Sequence, residues 1–387
     1  MRAYVVGGAV RDRLLGGTVS DRDWVVVGAT PEQMLAAGYK PVGRDFPVFL
    51  HPTTHEEYAL ARTERKSGRG YHGFVFHAAP DVTLQQDLAR RDLTINAMAE
   101  DADSGALIDP FGGARDLRDG VLRHVSDAFA EDPVRLLRLA RFAARWPHFA
   151  VAESTSALLR RLVADGEVDA LVPERVWQEV SRGLAEVRPS RMFEVLLECG
   201  ALQRLAPMLQ PCFADAARRA MLMQAIDRAP PATAVRFACL CHALDATPAG
   251  MAPGQPQLRA LCERWRVDAD CRELAVLVAR EWPTLVGAGA TFGPSECLAL
   301  LERCDAWRRP ARLELALAAF IALSEAASST PSLVARRCEQ VRAALQAAQR
   351  VSSASLPATV RDTGGPALGQ ALREARLQAI ANNVEWS

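Results

Sequence analysis

Lysine is almost missing from this chain. Lys40 and Lys66 are the only two in 387 residues, so nearly all of the 46 basic side chains are arginine. Arginine suits bidentate contacts with phosphates and base edges, although a GC-rich genome would enrich it as well. Net charge is missing too: 46 acidic residues balance the basic ones. Any affinity for nucleic acid must therefore come from local patches and not from a global field. Aromatic residues are scarce, at 6% against 49% apolar residues overall. A core of Ala, Leu and Val is the composition of packed helices more than of sandwiches. None of the nine cysteines stands in a C-x-x-C pair, and the closest two, Cys239 and Cys241, have a spacing that fits neither a zinc knuckle nor a redox motif. They read as small buried side chains in a reducing compartment. No 18-residue apolar run occurs, and MRAYVVGGAVRD has no apolar signal core, so no membrane role and a cytoplasmic location are expected.

What is present divides into two textures. The length has room for two or three domains. In the first 120 residues or so, β-rich segments (Tyr4–Val6, Trp24–Val27, Val48–Leu50 and Tyr58–Ala61) alternate with stretches expected to be helical, Gly8–Leu15, Pro31–Leu35 and Leu93–Ala99. From about Glu131, Ala/Leu/Arg segments follow with apolar residues three and four apart, broken at Pro147, Pro173, Pro189, Pro207, Pro230–Pro231 and Gly287–Gly289. The expected class is α+β: a head over 1–125, a helical neck over 126–205, and a helical body and tail over 206–387. No internal repeat stands out, and Ser352–Ala358 is the best linker candidate.

Three constellations can carry chemistry. The first is Gly7-Gly8-Ala9-Val10-Arg11-Asp12, followed by Asp21-Arg22-Asp23 and an apolar run. Glycines between a strand and a helix let the backbone approach a triphosphate, though such a pair alone is usually a turn. Residues two apart on a strand face the same way, so Asp21 and Asp23 can converge on one site. Two adjacent carboxylates repel unless a cation lies between them, and two-metal phosphoryl transfer needs such hard oxygen ligands for Mg²⁺. An isolated Asp-x-Asp would be a solvated turn; so near the Gly-Gly pair, it reads as a metal site. A third carboxylate could come from Glu56 or Glu57, between which spacing does not choose.

The second constellation is Arg90-Arg91-Asp92-Leu93-Thr94-Ile95-Asn96-Ala97, where Asp92 and the apolar residues can anchor an arginine as a phosphate or sugar clamp. The third is Glu131-Asp132-Pro133-Val134-Arg135-Leu136-Leu137-Arg138-Leu139-Ala140-Arg141-Phe142. Acidic residues and proline open a helix there. Asp132, Arg135 and Arg138 follow in three-residue steps, sweeping about a third of the way round, while Leu136, Leu139, Ala140 and Ala143 should be core. The bland reading is an amphipathic helix with a charged side. An acid and an arginine on one rigid face can also address the edge of a nucleobase.

These segments, with Asp109-Pro110-Phe111-Gly112-Gly113 and the Arg65–Gly73 loop, closely resemble the bacterial class II tRNA nucleotidyltransferases, the CCA-adding enzymes. The likeness is nearly continuous to about residue 200 and fainter beyond, apart from Asp305-Ala306-Trp307-Arg308 and Gly369–Ile380. It implies a polymerase-β-like head whose neck, body and tail hold the tRNA acceptor arm, with no obligate protein partner. By that resemblance Gly8, Arg11, Arg91, Arg135 and Arg138 would contact ATP or CTP, and Asp21 and Asp23 would bind Mg²⁺. Asp132 and Arg135 would stand in for a template by pairing with the Watson–Crick edge of cytosine or adenine. The loop around Thr63–Gly70 would help the switch from C to A addition, which argues against an enzyme stopping at CC.

The resemblance has a gap and rivals. Many relatives carry a metal-dependent phosphohydrolase (HD) site in the body, where this chain reads Phe237-Ala238-Cys239-Leu240-Cys241-His242-Ala243-Leu244-Asp245. The His-Asp pair has become His-Ala, and His242 is the only histidine after His148, too few for a multi-histidine centre. A poly(A) polymerase would share the head but would be expected to carry a long basic C-terminal extension, whereas this sequence ends in a neutral Ala-rich tail. Partial CC- or A-adding enzymes are further rivals. A silent RNA-binding module would be expected to have lost the aspartates. The degenerate body predicts no metal-dependent release of phosphate from 2′,3′-cyclic nucleotides; turnover of such a substrate would overturn it.

Overall fold

Asp23-Trp24-Val25-Val26-Val27 alternates between two faces, as a strand with period two must, and each face buries its own core. Val25 joins Tyr4, Val6, Leu88 and Ala99, while Val26 joins Met34, Phe49 and Leu60. The computed structural model describes residues 1–19, 21–42, 48–66, 74–247, 250–251, 254–287, 292–327, 331–356 and 365–386. Its strands are β1 (Arg2–Val6), β2 (Asp23–Val27), β3 (Lys40–Val42), β4 (Val48–Leu50), β5 (Glu57–Leu60), β6 (Arg62–Lys66), β7 (Phe74–Ala78), β8 (Ala99–Asp101) and β9 (Leu107–Ile108). One mixed sheet runs β3-β4-β5-β2-β1-β8-β9, and β6 and β7 pair separately. Within it only β2 and β5 are parallel, and there Trp24 stacks on Tyr58 across the strands at 5.0 Å. Residues 67–73 of the loop singled out in the sequence lie outside the described residues, as does part of the expected linker.

Helices α1 (Gly8–Leu14) and α2 (Pro31–Ala36) fall where expected, and Thr30 and Gln33 close a reciprocal cap on α2. The expected helix over Leu93–Ala99 does not form. A single 3₁₀ turn at Thr94–Asn96 leads instead into β8, and the helix lies earlier, at α3 (Leu84–Ala89). The reason is local competition for hydrogen bonds. Asp92 accepts from the Leu93 N–H and the Asn96 amide, and the Thr94 hydroxyl donates to Asp116 at 2.7 Å. The Asp109-Pro110-Phe111-Gly112-Gly113 stretch leads into α4 (Gly113–Asp119), and Asp109 accepts from the first two N–H groups of that helix.

Helices then take over: α5 (Val134–Arg145), α6 (Glu153–Ala164), α7 (Pro173–Ala185), α8 (Ser190–Glu198), α9 (Ala201–Leu205), α10 (Gln210–Ala214), α11 (Ala216–Arg228) and α12 (Thr233–Cys241). After them come α13 (Pro256–Trp265), α14 (Ala269–Val286), α15 (Pro294–Arg303), α16 (Pro310–Ala327), α17 (Pro331–Gln349) and α18 (Gly365–Asn383). Leu136, Leu139, Ala140 and Ala143 of α5 are fully buried, as their spacing required. The chain forms two compact units, Met1–Gly183 with Arg191–Leu205, and Leu184–Ser190 with Ala206–Ser387. No helix among the described residues is long and apolar enough to cross a membrane.

In the first unit, α5 is tied to the head by Asp92. The Arg138 Nε donates to its Oδ2 at 2.8 Å, while its Oδ1 serves Leu93 and Asn96. Burial alone would raise this carboxyl, but the Arg138 guanidinium and the donors around it hold it at about 2. A carboxyl depressed on folding contributes stability above its ordinary range and loses it as pH falls through the folded value. Stability should therefore drop by roughly 2 kcal/mol between about pH 5 and pH 2 on this account, and Asp92→Asn should flatten that part of the profile. Equal slopes in urea titrations of both proteins would refute the assignment.

Candidate active site

The turn after β1 begins the site. Gly7 has φ 71°, and a Cβ there would lie 2.8 Å from the Arg91 guanidinium, so glycine answers both the backbone and the close approach. Together with α1, the Arg90–Asn96 segment, α5 and α7, this turn encloses a cavity of about 470 Å³, a size that takes a nucleotide. Gly8, Arg11, Asp23, Arg91, Asp132, Arg135 and Arg138 all line it. Asp21 does not: it is exposed in the turn ahead of β2, which starts at Asp23, so strand alternation does not align the two aspartates. Six arginines against Asp23, Asp92 and Asp132 give the lining a surplus of three positive charges, suited to a polyphosphate.

Each cation is held by a partner. Buried Arg11 donates to Asp12 at 2.8 Å and to Asn96, with its head 4.9 Å over the Trp146 ring. Arg90 and Arg91 share the fully buried Asp87. Desolvation would raise that carboxyl, but the two guanidiniums leave it below its ordinary value. The Nε of Arg91 is buried without a hydrogen-bond partner, a donor suited to an anionic ligand. Arg135, also buried, donates to the Ala128 carbonyl at 2.7 Å.

Asp132 departs from the expected helix face. It lies just before Pro133, the N-cap of α5, and its Oδ1 accepts from the Val134 N–H. Arg175 of α7 grips both of its oxygens, at 3.2 and 2.9 Å. Arg175 escaped the sequence reading, because in the first turn of an amphipathic helix its spacing resembles that of any charged surface residue. Asp92, expected as the anchor of an arginine, lines the cavity as well, together with Arg90 and Asn96.

Among the described residues no three His, Cys, Asp or Glu side chains gather as a ready-made metal centre. The donors still fit a hard cation that keeps waters and uses substrate phosphates as ligands. Asp23 and Glu57 are paired in register on parallel β2 and β5, so their exposed carboxylates share one face. Glu56 instead accepts from the Thr54 hydroxyl at 3.0 Å.

In the second unit His242 is buried, with Nδ1 3.0 Å from the Cys239 carbonyl and its ring edge-on to Trp282, which in turn stacks on Phe320. Burial pushes this imidazole down to about 4. Asp245 accepts from the Gln257 and Leu258 N–H groups at the start of α13. The nine cysteines are all buried and unpaired.

Comparison with known proteins agrees with this architecture. Residues 3–123 match the poly A polymerase head domain, and residues 148–213 match a probable RNA- and SrmB-binding site of polymerase A. A solved tRNA-processing enzyme with CTP is similar over 98% of this chain and 97% of its own, at 25% identity and a TM-score of 0.64. A CCA-adding enzyme with ATP shares the fold, at 22% identity and a TM-score of 0.69 over 99% of this chain and 87% of its own. The multifunctional CCA protein of Leptothrix cholodnii is 55% identical over 99% of this chain and 97% of its own length. With likeness of that extent from end to end, the chain belongs to the family of the multifunctional CCA proteins.

Proposed function

We propose that this chain builds and repairs the 3′-terminal CCA of tRNA from CTP and ATP, without a nucleic-acid template, releasing pyrophosphate. The observation that carries the reading is the arginine-lined cavity in which Asp132, clamped by Arg175, stands beside Arg135. Cytosine and adenine both present an exocyclic amino donor next to a ring-nitrogen acceptor. A carboxylate accepts from the first and a guanidinium donates to the second, whereas uracil and guanine present the reverse pattern. Rigidity makes this discriminating, because a fork that could swing would accept either pattern.

Arg11, Arg91 and Arg138 hold the triphosphate, and Gly8 leaves room for it beside the backbone. Asp23 at the cavity wall and Asp21 just ahead of it would hold Mg²⁺, with Glu57, in register with Asp23, the better placed of the two candidate third carboxylates. When bound, Mg²⁺ supplies Lewis-acid polarisation of the phosphate oxygens and the tRNA 3′-hydroxyl. That hydroxyl attacks the α-phosphate, and the arginines stabilise the charge that develops on the leaving pyrophosphate. The 126–205 segment serves as the nucleotide-selecting neck, and 206–387 holds the tRNA, in the cytoplasm.

Labelled CTP and ATP offered to tRNA transcripts ending before CCA, after CC and after CCA test this. Two C and one A, then a halt, is the expected result; long A tails would mean a poly(A) polymerase, and a halt at CC a partial enzyme. Asp21→Ala with Asp23→Ala, or chelation of Mg²⁺, should abolish incorporation in a folded protein. Arg175→Ala should raise UTP and GTP misincorporation about tenfold, the scale of one bidentate contact; unchanged fidelity would remove Arg175 from the selecting group.

A further inference from the structure

The guanidinium of Arg11 is held at two of its three nitrogens. Its Nε donates to Asp12 at 2.8 Å and its Nη1 to the Asn96 side chain. The third nitrogen, Nη2, lies beside Gly8, 3.4 Å from where a Cβ would stand. A side chain there would crowd it, so the glycine leaves room at this end of the arginine, where both residues line the cavity. The group also sits over two rings, 4.9 Å from the centre of Trp146 and 5.4 Å from that of Phe142. Both distances are within the reach of a cation–π attraction.

These rings form a ladder at the end of α5. Phe142 and Trp146 stack at 5.4 Å with their planes 11° apart, and Trp146 stacks in turn on Phe149 at 5.5 Å. Phe142 lines the cavity and Trp146 does not, so the indole reaches the ligand space through Arg11. Arg145 lies over the indole as well, at 5.0 Å, and its Nη2 is 3.5 Å from the second oxygen of Asp12. Asp12 therefore divides its charge between two guanidiniums. Arg11 is only 5% exposed, and a cation so desolvated needs more than a shared carboxylate. Tryptophan offers the strongest aromatic face for a cation. An aliphatic side chain would fill the same space without that attraction.

We propose that Trp146 is a positioning residue for the triphosphate of the incoming nucleotide: its indole, with Asp12, fixes Arg11 so that Nη2 meets the phosphates. The inference rests on the reading that Arg11 holds the triphosphate. An arginine already fixed in place loses little side-chain freedom when the ligand arrives. CTP and ATP carry the same triphosphate, so the effect falls on both alike. The choice between base edges stays with other residues, as in the hold of Arg175 on Asp132.

The test is calorimetric titration of the full-length protein, without tRNA, with CTP, ATP and inorganic tripolyphosphate, comparing the parent with Trp146→Met and Trp146→Phe. In the Met variant all three should bind about tenfold more weakly, the scale of a desolvated cation–π contact. Phe keeps a ring and should recover most of the loss. Trp146 is half-buried, so the fold should persist; should the Met variant not fold, Trp146→Leu takes its place. Arg11→Met combined with Trp146→Met separates positioning from general packing. If the indole acts through Arg11, the pair binds no worse than Arg11→Met alone. Additive losses would overturn the inference, as would affinities equal to the parent's, or losses for CTP and ATP with tripolyphosphate unchanged. Misincorporation of UTP and GTP should stay at the parent's level; a rise would move Trp146 to base selection and overturn it too. A parent that incorporates neither C nor A, yet shows the tenfold loss, upholds Trp146 and sinks the proposed function. Normal incorporation with no loss does the reverse.

Discussion

Asp92 is a carboxylate almost wholly buried in the wall of the cavity, and an unpaired charge in that position would cost several kcal/mol. Its two oxygens are therefore committed, one to the Leu93 and Asn96 donors and the other to Arg138. The first commitment bends the chain after α3 into a 3₁₀ turn, which lets Asn96 accept from Arg11. The second holds α5 against the head. The glycine turn, the Arg90–Arg91 pair and the α5 arginines thus meet around one cavity because a single buried charge must be satisfied from both sides.

The same logic runs through the rest of the site. Arg91 leans on Asp87, Arg175 on Asp132, and Arg11 on Asp12 and the Trp146 ring. Acids do not cancel the cavity's positive character; they spend one edge of each guanidinium to hold the other in place. The proposed selection of nucleotides by side chains needs this stiffness, because selectivity between base edges comes from hydrogen-bond geometry and not from charge alone.

In the second unit the buried polar residues are committed to packing and capping. His242 is neutral and packed against Trp282, and Asp245 serves as a helix cap. The cysteines lie in the core, where burial pushes Cys239 up to about 12 and keeps it a thiol. Arginine, by contrast, gathers on this unit around Glu281, in the pattern the head uses around its own acids.

Much of the head was legible without coordinates. A β-rich apolar run such as Trp24–Val27, and a helical stretch opened by Pro31, depend on neighbours a few positions away, so the local sequence placed β2 and α2. The glycine pair and the α5 arginines stood out for the same reason, being written in adjacent residues, and they line one cavity. Tertiary structure decided what depends on residues far apart in the chain. The turn at Thr94–Asn96 hangs on Asp116 and Arg138, the hold on Asp132 comes from Arg175, and the choice of Glu57 over Glu56 needs the β2–β5 register. Spacing predicts local hydrogen bonding well, but a buried charge takes its partner from whichever distant segment packing brings within 3 Å or so, and no local pattern records which one that is.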